Sequence, residues 1–334
     1  MSEELLVTAR DNALIDPGLH IWTWEVAMYL FLGGMTAGIM IFAALMTVRN
    51  KGEVAPFATT RLALFAPIVL SIGMTTLFMD LEHKLFVYRF YTSFQITSPM
   101  SWGAWILIFI YPVSVLQILS TLRSGYSPLA SHVERLTVGR LALDWCERYR
   151  REIAMAVIPF AVVLGIYTGI LLSAFGARPF WNSGVLGVLF LVSGMSTAAA
   201  LVVLMARQRS EKELFTWIDV ILIAAEIGLV ALSLISLASG SGQHIEALQS
   251  IMGGPYTYVF WVLFVGIGLL IPLLLEILDL SGVSKSLAML APVLVLIGGY
   301  ALRQVVMDAG QESTWTNYST QYSSELLQRL HESE

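Results

Sequence analysis

Charged residues are scarce in this chain of 334 residues. Asp, Glu, Lys and Arg make up 13% of it, whereas 57% of its residues are hydrophobic. About a quarter of an average soluble domain is charged, so a soluble protein of this length could not cover its surface with so few charges. The scarcity excludes an ordinary soluble enzyme and favours a membrane protein.

Basic clusters are lacking as well. The 24 acidic residues outnumber the 19 basic ones, and no run of Lys and Arg suits a phosphate backbone. We therefore expect the chain to bind no nucleic acid.

Cysteine is nearly absent and histidine is rare. The one cysteine, Cys146, excludes a disulfide framework, a four-cysteine zinc site and a cysteine-ligated iron–sulfur cluster within this chain. A b-type haem needs facing histidines on two helices, and only His20 and His83 lie near apolar segments on one side. They could hold one haem, but the five histidines exclude two stacked haems. We expect neither haem nor metal.

The amino terminus lacks the pattern of a cleavable signal peptide. Residues 1–20 are polar and acidic, without a basic stretch followed by an apolar one. We expect insertion to depend on the membrane-spanning segments themselves.

Long apolar runs are what the sequence has in abundance. Eight of them can span about 30 Å of hydrocarbon, and they are predicted near residues 21–48, 60–81, 100–122, 152–176, 181–206, 214–238, 256–280 and 286–308. The fold prediction is an all-α polytopic membrane protein. Its predicted parts are an outer N-terminal segment (1–20), a transmembrane domain (21–310) with an amphipathic cytoplasmic segment (125–150), and a polar outer C-terminal tail (311–334).

The distribution of positive charge predicts the orientation. Most of the 19 Lys and Arg residues fall in the connections after the first, third, fifth and seventh spans or beside them. Positive charge is typical of cytoplasmic loops. Both termini should then lie on the outer side, which is the periplasm if the membrane is a cell inner membrane.

Ionisable residues inside the spans are functional candidates, because they are costly in lipid. With alternating spans, Glu25, Asp80, His83 and Arg303 all fall near the outer face, together with His20 and Trp24. Two other readings remain open: Trp24 could belong to an interfacial aromatic belt, and Glu25 and Arg303 could form a structural ion pair.

Three further carboxylates lie deeper. Glu226 falls near the middle of the membrane, where carboxylates usually line a cavity or a proton path. Asp219 and Glu276 fall nearer the cytoplasm, although Glu276 could simply reach water at the end of its helix.

An outer polar layer in apolar surroundings suits quinone chemistry. A quinone needs an apolar slot, hydrogen-bond donors for its carbonyl oxygens and a route for two protons, which His, Tyr, Asp and Glu can supply. Electrons must then come from outside the chain.

Four stretches resemble one known family in the same order along the chain. These are His20–Gly38, Met79–Trp105, Tyr167–Thr197 and Leu302–Gln311, with Asp-Leu, Ser-Pro-Met-Ser-Trp-Gly, Tyr-Thr-Gly, Pro-Phe-Trp-Asn and Ala-Gly-Gln elements. They resemble the NrfD-type membrane subunits, which include the polysulfide reductase membrane subunit. One departure is Glu82-His83-Lys84 after Asp-Leu, where the family commonly has Gly-Arg-Pro or Gly-Lys-Pro.

The resemblance implies a haem-free subunit of two four-helix bundles that binds menaquinone or ubiquinone near the outer face. It also implies a ferredoxin-like iron–sulfur subunit docked on that face and joined to a molybdopterin catalytic subunit. Carried over by position, the family's quinone pocket corresponds to the following residues: His20, Trp24, His83, Tyr167 and Arg303 around the quinone, with Glu25 and Asp80 as proton carriers. Apart from the resemblance, Glu226 is a further candidate for proton transfer, since it could extend a proton path to the cytoplasm together with Asp219 and Glu276.

The main hypothesis is therefore a quinone-binding membrane anchor of a respiratory oxidoreductase, which is not a complete enzyme by itself. A proton-coupled secondary transporter or proton channel is the alternative that Glu226 favours, although no inverted repeat supports it. A passive structural anchor is the third possibility.

Overall fold

The structure is a computed structural model that describes residues 22–176, 178–282 and 289–313. Within these residues eight helices are long and apolar enough to cross a membrane, which confirms the predicted all-α polytopic fold. They are α1 (Trp24–Val48), α2 (Leu62–Asp80), α3 (Pro99–Gly125), α4 (Arg150–Ser173), α5 (Leu186–Met205), α6 (Arg209–Ala238), α7 (Val259–Leu280) and α8 (Leu290–Glu312).

Some predicted parts lie outside the described residues. These are His20, the N-terminal segment 1–20 and residues 314–334 of the tail. The predicted outer positions of both termini are likewise not tested by the structure.

Two helix starts differ from the predicted spans. The fifth was expected near residue 181, but Pro179–Trp181 forms a separate 3-10 turn and α5 begins at Leu186. The sixth was expected near 214, but α6 begins at Arg209. Hydropathy detects only the apolar part of a helix. It therefore misses the polar first turn of α6 and includes the apolar 3-10 turn that precedes α5.

Helices α1 and α5 form the centre of the bundle. α1 contacts α2, α4, α5 and α8, and α5 contacts α4, α6 and α8. At their crossing a Cβ built on Gly38 would lie 2.6 Å from the Ala198 side chain, so only glycine permits this approach. Contacts of α5 with α1 and α4, and of α8 with α1, join the two halves of the chain, and the division into two four-helix bundles stays a prediction.

The bundle has two ends, which the helix connections define. At the near end, Trp22 before α1 exchanges two backbone hydrogen bonds with the Gln311 side chain in α8. At the far end, the buried Glu211 carboxylate of α6 accepts hydrogen bonds from the backbone N–H groups of Phe57 and Ala58. Odd-numbered helices therefore begin at the near end, and even-numbered helices finish there.

The segment between α3 and α4 lies at the far end as two short helices, Ser127–Glu134 and Thr137–Arg148. Arg123 joins them to α3 through ion pairs with Glu134, Asp144 and Glu147 at 2.6–2.8 Å.

Helix α7 changes its geometry along its length. Residues Val259–Leu270 form wide turns with π-helical hydrogen bonding, and Ile271–Leu280 is α-helical. Pro272 lies at the junction, where it can donate no backbone hydrogen bond. Glu276 follows one turn later and is buried.

Candidate functional site: an apolar pocket and a buried polar chain

A cavity of about 550 Å³ opens at the near end among α1, α2, α3 and α4. This volume is typical of small-molecule sites. Most of its wall is apolar, with side chains such as Val26, Met74, Leu107 and Leu171. Its polar lining residues are Tyr29, Ser71, Thr75, Asp80, Tyr91, Tyr111 and Tyr167. We call this cavity the pocket.

Tyr167 is the most firmly positioned polar side chain of the pocket. It is buried in α4, and its ring reaches the backbone of α3 at Gly103. A Cβ built at Gly103 would overlap the Tyr167 hydroxyl and ring. Glycine at this position is therefore what allows the phenol to stand in the pocket wall.

Asp80 supplies the carboxylate of the pocket. It is the last residue of α2, is half-buried and lines the cavity. Glu25, in the first turn of α1, interacts electrostatically with Asp80 but does not line the pocket. The Glu25 carboxylate instead accepts a hydrogen bond from the Thr23 hydroxyl. A proton on Asp80 thus has a second carboxylate beside it.

Trp24 does not line the pocket, contrary to the expectation from sequence. It is 47% exposed, whereas Trp22 lines the cavity. Trp22 also stacks on Trp181 at 5.7 Å and meets Phe175 edge-on at 5.2 Å. Trp22 lies in the extended segment before α1, and Trp24 is the first residue of the helix, so the helical periodicity of α1 does not assign Trp22 to a face.

His83 lies at the rim. It is exposed in the connection between α2 and α3 and lines a separate open groove of about 610 Å³. That groove shares Leu81, Phe90 and Met100 with the pocket. His83 therefore borders the approach to the pocket, and its side chain is absent from the pocket wall.

Arg303 is placed differently from the sequence-based expectation. It is fully buried and does not line the pocket. Its guanidinium donates to the Ser193 hydroxyl at 2.6 Å and to the carbonyl oxygens of Gly299 and Phe190 at 2.8 and 3.0 Å. The sequence-based expectation placed Arg303 near the outer face, whereas its side chain turns toward α5 and lies beside Gly34 near the middle of α1.

Among the described residues Arg303 contacts Ser193, Gly299 and Phe190 and not Glu25, the partner in the alternative reading from sequence. Among the described residues the carboxylate that interacts with Arg303 is Glu226 of α6, and Ser193 contacts both side chains. Glu226 is buried, and its Oε1 atom has no hydrogen-bond partner within the described ranges. A charged or proton-carrying pair thus occupies the middle of the bundle.

Two further carboxylates continue this arrangement toward the far end. The Ser196 hydroxyl donates to Asp219 Oδ1 at 2.6 Å, and Asp219 lies close to Glu276 of α7. In the part of the protein that the structure describes, Asp219 Oδ2 and Glu276 Oε2 are buried without a hydrogen-bond partner. We call the six residues Arg303, Glu226, Ser193, Ser196, Asp219 and Glu276 the polar chain.

Sequence reasoning missed several polar side chains of the pocket. Tyr29, Tyr91 and Tyr111 line the pocket, and burial raises the pKa of the Tyr91 phenol, which keeps it a neutral hydrogen-bond donor. Tyrosines scattered over three segments carry no spacing signal that would join them.

A second group was missed on α8. The Tyr300 hydroxyl donates to Gln304 Oε1 at 3.0 Å, and the Gln304 amide donates to Asp308 Oδ2 at 2.8 Å. The Tyr256 hydroxyl donates to Glu312 at 2.6 Å. Tyr300, Gln304, Asp308 and Glu312 follow one another at i, i+4 spacing along α8. That spacing is a signal that could have revealed this row of polar side chains.

Comparison with known proteins gives consistent matches over the length of the chain. The family model described as "Polysulphide reductase, NrfD" matches residues 14–314. Protein NrfD of Escherichia coli K12 is 30% identical over 305 residues, covering 87% of this chain and 95% of that protein. A polysulfide reductase chain of Wolinella succinogenes is 27% identical, covering 87% and 94%. A selenate reductase subunit of Mesobacillus selenatarsenatis is 23% identical, covering 86% and 73%.

Proposed function

This chain belongs to the polysulphide reductase, NrfD family, and on that premise we propose that it is the quinone-binding membrane anchor of a multi-subunit respiratory oxidoreductase. In this role it mediates the exchange of two electrons and two protons between menaquinone or ubiquinone and an attached iron–sulfur subunit. The observation that carries the proposal is the near-end pocket, which combines apolar walls with a buried phenol and a carboxylate.

The residues of the pocket fit a quinone head. When bound, a quinone supplies two-electron, two-proton chemistry at its two ring oxygens. The buried Tyr167 hydroxyl would be a hydrogen-bond donor for one of these oxygens, and the apolar wall would exclude water from the ring. Asp80 holds or releases a proton at its carboxylate, with Glu25 as the next carrier.

The sequence-based candidates divide into two groups on this proposal. His83 borders the approach and exchanges protons with the aqueous side, while His20 remains a candidate ligand from the family resemblance. Trp24 and Arg303 have no direct role at the quinone, because neither lines the pocket.

The proposed partner is a ferredoxin-like iron–sulfur subunit at the near end, joined to a molybdopterin catalytic subunit. The connection between α2 and α3 supports a docked protein there, since Leu85, Phe94 and Ile96 are strongly exposed on it. Two relatives are parts of a polysulfide reductase and a selenate reductase. The distribution of Lys and Arg along the sequence supports a cell inner membrane with both termini in the periplasm.

A proton path through the polar chain is a second part of the proposal. Glu276, Asp219 and Glu226 would pass protons between the far end and the middle of the bundle, which would make turnover move charge across the membrane. The same buried carboxylates favour the alternative function of a proton-coupled transporter or proton channel. Uncoupler-sensitive proton flux in vesicles that hold this chain alone would support that alternative.

The test uses the complex purified with its partners. Tyr167→Phe removes one hydroxyl from the pocket and should weaken quinone binding about tenfold. Asp80→Asn should slow quinol turnover, because it removes a proton carrier. Tyr258→Phe is the matched control, since Tyr258 is exposed and lies outside the pocket. Unchanged quinone content and turnover in both pocket variants would overturn the proposal.

A further inference from the structure

The short helix Thr137–Arg148 between α3 and α4 is fixed to the far end of the bundle, and we call it the far-end helix. It packs on the protein through Leu143 and Cys146, which are buried. Leu143 belongs to one buried cluster with Leu122, which lies in the last turn of α3. The far-end helix therefore lies at the level where α3 ends.

That level corresponds to the headgroup region of a membrane. α3 has 27 residues, which make a helix of about 40 Å, whereas the hydrocarbon core of a bilayer is about 30 Å thick. Because α3 begins at the near end, its last turns extend beyond the hydrocarbon at the far end. The far-end helix, which packs on the last of these turns, lies beside lipid headgroups.

One face of the far-end helix is apolar and uncovered. Val138, Leu141 and Trp145 are 78%, 62% and 52% exposed. They follow one another at intervals of three and four residues, so they lie on one side of the helix. We call these three residues the apolar stripe. Such a stripe with a tryptophan, on a helix at the membrane surface, is typical of a helix that buries one face among acyl chains.

The charged side chains of residues 127–151 divide into a paired set and an unpaired set. The acidic members, Glu134, Asp144 and Glu147, all form ion pairs with Arg123 at 2.6–2.8 Å. Four arginines are exposed and form no ion pair with another described residue; they are Arg135, Arg140, Arg148 and Arg151. Arg123 thus holds the acidic groups against α3, and the exposed positive charge stays uncompensated.

Two of these arginines accompany the apolar stripe. Arg148 follows Trp145 by three residues, and Arg140 directly precedes Leu141. The Arg148 guanidinium lies 5.9 Å from the centre of the Tyr149 ring. Because an extended arginine carries its charge well away from the backbone, both guanidinium groups can reach the lipid phosphates while the stripe stays in apolar surroundings.

We propose that the far-end helix is a binding site for anionic phospholipids of the bilayer. The apolar stripe lies among the acyl chains, and Arg140 and Arg148 bind the phosphate and select lipids with a net negative charge. Guanidinium groups suit this role because they donate paired hydrogen bonds to phosphate oxygens. The site is separate from the pocket and does not depend on the proposed quinone function.

The test measures which lipids surround Trp145 in the full-length chain with its partner subunits. The protein is reconstituted in phosphatidylcholine bilayers with a minority of phosphatidylglycerol, and bromine atoms on the acyl chains of one lipid or the other quench nearby tryptophans. The chain has nine tryptophans, so each protein is measured with and without Trp145→Phe, and the difference is the Trp145 signal.

The two variants remove the same charge from different places at the far end. One combines Arg140→Gln with Arg148→Gln. The matched control combines Arg49→Gln with Lys51→Gln, because these residues are exposed in the connection between α1 and α2. Each variant is first checked for unchanged helix content and melting temperature.

The expected result is a preference for the anionic lipid that depends on the two arginines. Quenching of Trp145 should indicate that phosphatidylglycerol binds about tenfold more tightly than phosphatidylcholine. Arg140→Gln with Arg148→Gln should abolish this preference, and Arg49→Gln with Lys51→Gln should leave it unchanged. High salt should weaken the preference in the unmodified protein, because it screens exposed charges.

Three outcomes would overturn the inference. Equal quenching by the two lipids in the unmodified protein would show that the stripe touches the bilayer without selecting anionic lipids. Absence of quenching by either lipid would assign the stripe to a protein partner or to water. An equal loss of preference in both double variants would show a general effect of far-end charge and no site on this helix.

Discussion

Replacing Arg303 by methionine should destabilise the bundle strongly. The substitution removes a fully buried guanidinium and its hydrogen bonds to Ser193, Gly299 and Phe190, and it leaves the Glu226 carboxylate buried without its cation. Removal of one partner from a buried charge pair costs about 3–5 kcal/mol. The folded-to-unfolded ratio should therefore fall by a factor of about 100 or more.

The partner substitution makes this reasoning testable. Glu226→Gln keeps the three hydrogen bonds of Arg303 but leaves this buried cation without its counter-charge, so it should also cost about 3–5 kcal/mol. In the double variant no charge remains uncompensated, so the loss should be smaller than the sum of the single losses by about 1 kcal/mol or more. Reversible unfolding in mixed micelles, followed by helix content, measures all three. Losses that add to within about 0.5 kcal/mol would refute the coupling of Arg303 to Glu226.

Three further predictions concern single sites. Gly103→Ala should displace Tyr167 and lower quinone affinity about tenfold or more. In Gly184→Ala the added methyl group meets open space, so the quinone affinity should not change. Equal affinities of the two variants would contradict the placement of Tyr167 against Gly103. Burial raises the pKa of the Cys146 thiol, so maleimide should label it slowly in native membranes and fully after denaturation, and rapid native labelling would be the contrary result. Glu211→Ala should lower the free energy of unfolding by about 1.5–3 kcal/mol, because two backbone N–H groups lose a charged acceptor. Glu211→Gln should lower it less. A loss below about 0.5 kcal/mol for Glu211→Ala in chemical denaturation would refute the role of Glu211 as that acceptor.

The fold was predictable because each membrane helix is a long apolar run. Backbone groups in lipid must be paired within the segment, so such runs have few alternatives to a helix. Helix ends were less predictable. The apolar turn Pro179–Trp181 reads like the start of a span in hydropathy, although it packs as a separate turn whose Trp181 indole donates to the Val306 carbonyl oxygen at 2.7 Å.

The site was predictable only in part. Asp80 and Tyr167 follow from their position at helix ends on one side of the membrane, and both line the pocket. Side-chain direction was not predictable in the same way. Trp24 lies at the expected end of the bundle and Arg303 lies nearer its middle, and neither side chain lines the pocket. Apolar residues all round a membrane helix leave little periodic signal for the rotation of the helix about its axis.

The neighbours of the buried carboxylates were hidden for another reason. Ser193 and Ser196 stand in an ordinary run of small residues in α5, and nothing in their spacing indicates that they meet Glu226 and Asp219 of α6. Such contacts between helices depend on how the helices cross, which a single sequence does not specify.

Photolabelling of the complex with a quinone that carries a photoreactive group on its ring tests the central claim most directly. The account predicts labelled residues on α2, α3 and α4 around the pocket, such as Met74, Met100 and Leu171, with competition by unlabelled quinone. Labels confined to α5–α8, or labels that excess quinone does not displace, would contradict it.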